Sequence, residues 1–497
     1  MNNQFVEGLV DNQNLTLTEN MALTHESSLS YLLDFYALGG ALRTRSEEDI
    51  IQLFSKAFAE DRTLALKCLF YFRDIRQGQG ERRTFRTILT WLANNQPNSI
   101  SDLILLIPEY GRWDDLYSLI ATPLESDMWE GIKWQLIADL ANAEAEENIS
   151  LLSKWLKSEN TSSKESCRLG TLTRKALGLN SKNYREILSS LRTYIDITEK
   201  KMSENNWDEI TYSTVPSKAM KNYSKAFSRH DNLRFSRYLK KVVKGEEKIN
   251  SSTLYPYDVV KPILDISFSI FHCNSLNLKL DPNEVLRIEA QWQAMPNWLE
   301  GHEDQYGIVV ADTSGSMEGL PIAISTSLAL YFAERNTGPF QDMFITFSSK
   351  PKLQRIVGNN ITEKIINLLK ADWNMNTDID AVFNLILSTA VENKVEQKDL
   401  PSTIYIISDM EFDRCIEDKT NYQNAKDKFT QAGYNLPTIV FWNVDARHNH
   451  LPTTIKNNAI LVSGASPSIF KFLMSGKTNP IDVMLETLNS ERYESIK

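Results

Sequence analysis

Tyr306-Gly-Ile-Val-Val-Ala-Asp-Thr-Ser-Gly-Ser316 joins a short apolar run to a turn made of oxygen donors. An uninterrupted, β-branched run of this length suits a strand buried on both faces. The chain beyond it keeps alternating. Leu320–Arg335 reads as a helix, Met343–Phe347 and Leu353–Val357 as strands, Asp378–Glu392 as a helix and Thr403–Ser408 as another buried strand. Tyr422–Ala432 looks helical, Thr438–Trp442 and Ile460–Val462 extended, and Ser466–Leu473 helical. Strands alternating with helices predict an α/β, Rossmann-like unit with a mostly parallel sheet. In such sheets the loops at the carboxyl ends of strands form the ligand crevice. There Asp312, Ser314 and Ser316 offer one carboxylate and two hydroxyls, and Gly315 permits the tight turn. Thr377 stands before a helix and Asp409 ends a strand, at equivalent edges. An all-oxygen set with few carboxylates and room for water suits a hard, octahedral ion, Mg²⁺.

Working toward the N-terminus, the pattern becomes helical. Ile50, Leu53, Phe54 and Ala57 share one face of a helix, and Leu64–Arg73, Arg82–Leu92, Ser101–Leu106, Trp134–Glu146, Ser150–Trp155, Tyr184–Met202, Ser217–Phe227, Arg234–Lys244 and Tyr257–Phe271 continue in the same way. Many helices with brief connections predict an all-α, HEAT-like array. The expected organisation is therefore multidomain. A flexible segment spans 1–28, the helical array 29–275, a Pro-bearing acidic junction 276–304, and the α/β domain 305–497.

The 497 residues are 42% hydrophobic and 24% charged, ordinary for a globular protein, and the net charge of −10 argues against a polybasic binder as a whole. The charge is uneven. Residues 151–250 hold 21 Lys+Arg against 11 Asp+Glu, which leaves −20 on the rest. Four separated cysteines form no C-x-x-C pair and argue for a reducing compartment. The polar start lacks the apolar core of a secretion signal, and no apolar stretch approaches a membrane span. A cytoplasmic protein without membrane attachment is expected.

Residues about 305–475 resemble a von Willebrand factor A domain, and Asp312, Ser314, Ser316, Thr377 and Asp409 fall on its metal-ion-dependent adhesion site (MIDAS). The resemblance implies bound Mg²⁺ or Mn²⁺, with a partner's carboxylate often completing the coordination. Arg73-Asp-Ile-Arg-Gln-Gly-Gln-Gly-Glu-Arg82 and Pro108-Glu-Tyr-Gly-Arg-Trp-Asp-Asp115 resemble motifs of the TROVE module of Ro-type RNA-binding proteins. They are closer still to an uncharacterised family with a TROVE-like helical region first and an A domain last. Trp207–Pro216 and Tyr255-Pro-Tyr-Asp-Val259 fit that family too. The Ro-like architecture implies a helical ring that binds RNA on a basic surface, an analogy of fold rather than of site.

The basic surface would come from Lys218, Lys221, Lys225, Arg229, Arg234, Arg237, Lys240, Lys241 and Lys244. Lys218, Lys221 and Lys225 share one helix face, as do Arg234, Arg237 and Lys241. Tyr223, Phe227, Phe235 and Tyr238 are interleaved, so phosphates could meet the cations and unpaired bases could stack on tyrosine. The bland alternatives are a solvated face, an intramolecular one and aromatics that serve only as core. Gly476-Lys-Thr478 lacks the first glycine of a P-loop, and His448-Asn-His450 shows two potential metal ligands with no third in view. Trp113-Asp114-Asp115 reads as a packed anchor and helix start. The expected function is a non-enzymatic, Ro-like binding protein that contacts RNA through this basic surface; the alternative is a metal-dependent protein adaptor gripping a partner Asp or Glu, and a hydrolase using the same ion ranks third.

Overall fold

A computed structural model of the chain describes residues 4–270, 281–302, 306–347, 350–370 and 377–497. Within the segment 1–28, expected to be flexible, residues 4–28 hold a helix (Gln4–Gln13) and a hairpin that meets the C-terminal half, and residues 1–3 lie outside the described ones. β1 (Leu15–Leu17) and β2 (Leu23–His25) form an antiparallel hairpin, with Leu17 opposite Leu23. Backbone bridges tie Met21 to Asp413 and His25 to Leu451. The sequence is polar here because the anchors are main-chain hydrogen bonds and short hydroxyl side chains. Thr18 Oγ1 donates to Phe412 O (2.8 Å), and Thr24 Oγ1 donates to Leu451 O (2.8 Å).

Helices dominate up to Gln293. Those that bear on the site are α1 (Tyr31–Leu38), α2 (Arg62–Arg73), α3 (Arg83–Asn95), α4 (Ser217–His230), α5 (Asn232–Val243), α6 (Pro256–Ile270) and α7 (Pro282–Gln293). Their boundaries follow local chemistry. Ser30 caps α1 by accepting from Leu33 N, and Asp61 caps α2 by accepting from Leu64 N. On α3, Phe85, Ile88, Leu89 and Leu92 form the buried stripe. The single helix expected over Tyr184–Met202 breaks after Tyr194, where Asp196 takes a left-handed turn (φ 52°).

The sheet holds β3 (Gly307–Ala311), β4 (Met343–Thr346), β5 (Leu353–Arg355), β6 (Thr403–Ser408), β7 (Thr438–Asn443) and β8 (Ala459–Ser463), in the order β5-β4-β3-β6-β7-β8. All pairings are parallel except β4 with β5, so the sheet is mixed. β3, β6, β7 and β8 are buried almost throughout, as their continuous apolar runs require. α8 (Leu320–Arg335) covers the centre, with Ser325 Oγ donating to Ile407 O (3.1 Å).

The helical region and the sheet share one apolar core running from Leu32 to Ile496. α1 packs on β8 and on α9 (Pro480–Leu488). Gly40 N donates to Ser463 Oγ (3.0 Å), and a Cβ at Gly40 would lie 2.6 Å from Ser463 O, so only glycine fits. At the other end, α6 and α7 pack on or near α8. The expected junction 276–304 contains a helix, and its residues 276–280 and 303–304 lie outside the described ones. Arg287 of α7 is fully buried and bonds Glu284 and Gln291. Tyr255 Oη donates to Gln79 O (2.7 Å), bringing the end of the helical region back to its beginning. A smaller core of Tyr212, Met220, Phe227, Phe235 and Leu239 serves α4 and α5. Among the described residues, no helix is long and apolar enough to cross a membrane.

Candidate metal centre

β3 is the point where strand order reverses, with β4 on one side and β6 on the other. Loops leaving β3 and β6 diverge there and open a crevice. Asp312 follows β3 and Asp409 follows β6, and Asp312 N donates to Ile407 O (3.1 Å), which fixes the two carboxylates beside each other. Both are buried. Asp312 Oδ1 accepts from Ser314 N (2.8 Å), its Oδ2 accepts from Ser408 Oγ, and Ser314 Oγ lies 3.0 Å from Ser316 Oγ. The structure thus brings Asp312, Ser314, Ser316 and Asp409 into one oxygen-lined cluster.

Thr377 is attached to the same loop differently. Its hydroxyl lies 3.0 Å from Glu411 O and 2.8 Å from Asp413 Oδ1, and it accepts from Asn20 Nδ2 (2.9 Å). Asn20 Nδ2 also donates to Glu411 O (2.7 Å), so the tip of the β1–β2 hairpin is tied both to Thr377 and to the loop that follows Asp409. Nothing in the sequence pointed to Asn20, because its partners lie more than 350 residues away. Asp378 instead caps the following helix, accepting from Ala381 N (2.9 Å).

Burial, and next the charge of Asp409, push the Asp312 carboxyl up to about 7. Asp409 is relieved by Arg447, whose Nη2 lies 2.8 Å from its Oδ2. Burial opposes the Arg447 charge, but Asp409 and Glu19 hold the guanidinium above its ordinary range. Two buried carboxylates with one counter-charge, plus serine hydroxyls, suit a hard divalent cation: Asp312, Ser314, Ser316 and Asp409 could hold it, with Thr377 at the rim.

The basic segment divides. Lys221 Nζ bonds Asp258 Oδ1 (2.7 Å), and Arg234 bonds Asp231 and the carbonyls of Ile210 and Trp207 while lying over the Tyr212 ring. Lys218 Nζ also lies 3.9 Å from Asp258 and over the Tyr255 ring, so these three cations serve the fold. Lys225, Arg229, Arg237, Lys240, Lys241 and Lys244 are exposed, with Lys241 3.7 Å from Glu247. The aromatics expected to stack on bases are mostly core. Phe227, Phe235 and Tyr238 are buried, and Tyr223 is half-buried with its hydroxyl on Glu199 (3.1 Å). Helical spacing explains both outcomes, since it puts aromatics on the face opposite the cations.

The motifs 73–82 and 108–115 also lock together internally. Asp115, fully buried, accepts from Arg73 Nε (2.7 Å), Arg86 Nε (2.7 Å) and Arg112 N (2.9 Å). Asp74 binds Arg492 (2.9 Å) near the C-terminus. Gly80 sits at φ 63°, where a Cβ would meet Tyr255 Oη at 2.1 Å. The glycine turn is thus a packing contact.

Residues 306–495 match the family described as Domain of unknown function (DUF7788). Residues 18–166 and 150–301 match Domain of unknown function (DUF2828). The chain is 28% identical to "Uncharacterized protein L728" of Acanthamoeba polyphaga mimivirus over 516 residues, covering 96% of this chain and 87% of that protein. With its match extending over more than half of the sequence, the chain belongs to the DUF2828 family.

Proposed function

We propose that the chain is a non-enzymatic binding protein whose C-terminal unit is a von Willebrand factor A-type module holding Mg²⁺ or Mn²⁺. Asp312, Ser314, Ser316, Thr377 and Asp409 supply the oxygens, and a partner's carboxylate completes the coordination. The observation that carries this reading is the pair of buried carboxylates at the ends of adjacent parallel strands, with Asp312 pushed up to about 7 by burial and by its neighbour's charge. Binding is favoured over hydrolysis because Ser408 Oγ donates to Asp312 and Ser314 Oγ pairs with Ser316 Oγ, and among the described residues neither pairs with a histidine that could activate it. The test is capture of partners by the full-length protein in Mg²⁺, in EDTA, and with Asp312→Ala. A partner set retained in all three conditions refutes the reading.

A second reading adds RNA as the partner of the helical region, in the manner of Ro-type proteins with a TROVE-like, HEAT-like array. It is supported by the exposed cations of α4 and α5, from Lys225 to Lys244. Charge reversal at Arg229, Arg237, Lys240 and Lys244 leaves the internal pairs of Lys221 and Arg234 untouched. RNA bound at low salt and lost in that variant supports it; RNA unaffected by the change, or none, removes it.

A further inference from the structure

The His448-Asn-His450 stretch, which lacks a third ligand in sequence, acquires two carboxylates in the fold. His448 Nε2 lies 2.8 Å from Glu19 Oε1 and 4.0 Å from Glu411 Oε1. His450 Nε2 lies 2.9 Å from the same Glu411 Oε1. The donor atoms of Glu19, Glu411 and His448 all fall within 4.8 Å of one another. We propose that Glu19, Glu411, His448 and His450 form a second metal site, for a Zn²⁺-class ion, that clasps the N-terminal hairpin to the sheet unit.

Three features argue for it. Two imidazole nitrogens with two carboxylate oxygens are a donor set for a borderline divalent ion, unlike the all-oxygen centre at Asp312. Both carboxylates are pre-oriented. Glu19 Oε2 is held by Arg447 Nη1 (2.9 Å) and Glu411 Oε2 accepts from Glu19 N (2.8 Å), which turns each Oε1 toward the histidines. Outer contacts of this kind aim metal ligands. Finally, His450 is nine-tenths buried with its Nε2 aimed at Glu411, so one imidazole is already fixed at the site. Metal–ligand bonds of about 2.0–2.2 Å in a tetrahedron separate donors by ~3.3 Å. The Glu19, Glu411 and His448 donors lie within 4.8 Å of one another and His450 reaches the group through Glu411 at 2.9 Å, so the set must draw in around an ion, and Glu19 and His448, the more exposed members, have room to move.

The test uses the full chain, stripped with a chelator and titrated with Co²⁺ while excess Mg²⁺ fills the oxygen-donor centre. The expected result is one equivalent of cobalt with the intense visible absorption of a tetrahedral ion, discharged by one equivalent of Zn²⁺. His448→Asn and Glu19→Gln, at exposed positions that spare the core, each weaken binding more than the 10–100-fold typical of losing an outer partner. Chelation also speeds amide exchange across residues 15–25. A weak octahedral spectrum, absorption that survives His448→Asn, or a near-ultraviolet sulfur-to-cobalt band that places the ion on a cysteine each overturns the proposal. Because Mg²⁺ is in excess throughout, failure here leaves the Asp312 centre to be judged by its own experiment.

Discussion

Lowering the pH from 8 to 6 should weaken Mg²⁺ binding about tenfold. The ion needs Asp312 ionised, and this carboxyl titrates at about 7 because it is buried beside Asp409. Roughly ten-elevenths of it is ionised at pH 8 and one-eleventh at pH 6, a ratio worth about 1.4 kcal/mol. Below pH 6 the affinity should fall by about one decade per unit, and above pH 8 it should level off. Titration calorimetry of the full-length protein in two buffers of different ionisation enthalpy counts the displaced protons. About nine-tenths of a proton should be released per ion at pH 6 and about one-tenth at pH 8. Without metal, the same group acts on stability with the opposite sense from an ordinary ion-paired carboxylate. The folded chain keeps this proton up to about pH 7, whereas an unfolded Asp releases it near 4. The folded state therefore binds more protons in that window, and the contribution of Asp312 to stability falls as pH rises from 4 to 7. An affinity flat within twofold between pH 6 and 8, or no proton release at pH 6, refutes the reasoning.

Asp115→Asn should cost about 3–5 kcal/mol, because it leaves the Arg73 guanidinium, 2% exposed, buried without its counter-charge. Denaturant unfolding checks this, and a loss under 1 kcal/mol would contradict it. His25→Leu should stabilise the protein by about 1–3 kcal/mol, since both ring nitrogens of His25 are buried without partners. Burial lowers the His25 pKa below 6.5, so the unfolded chain takes up the proton first and the wild type loses stability as pH falls through that value. A melting series from pH 7 to 5 should show a smaller loss in the variant. Asn20→Ala should cost about 1 kcal/mol and speed amide exchange in 15–25, because it removes the side-chain bonds to Thr377 and Glu411. Unchanged exchange would show that the hairpin does not depend on them.

The α/β unit was legible because its strands are buried on both faces, and continuous runs such as Ile308–Ala311 and Ile404–Ile407 have few other uses. Asp312, Ser314 and Ser316 were legible because one turn carries them all. Local pattern could not show what depends on distant partners. The hairpin is polar, and its tip gains meaning from distant partners, where Asn20 meets Thr377 and Glu19 meets Glu411 and Arg447. α7 was hidden inside an apparent junction because its buried Arg287, Gln291 and Asn283 read as surface residues until their partners are known. The histidines of 448–450 looked isolated for the same reason. In the basic segment the charge is plain from sequence but the pairing is not: no helical wheel reveals that Asp258 lies under Lys221.

The hairpin and α1 have one further consequence, in the order of synthesis. Thr24 bonds Leu451, 427 residues later. At ~5–20 residues per second, the ribosome makes that partner roughly 20–85 s after the hairpin emerges. Through that interval α1 has no β8 to cover it, and the hairpin edge has no backbone to pair with. The hairpin and α1 therefore cannot reach their final place until β8 and Leu451 have been made, and through that interval the nascent chain must carry an open apolar face and a bare strand edge.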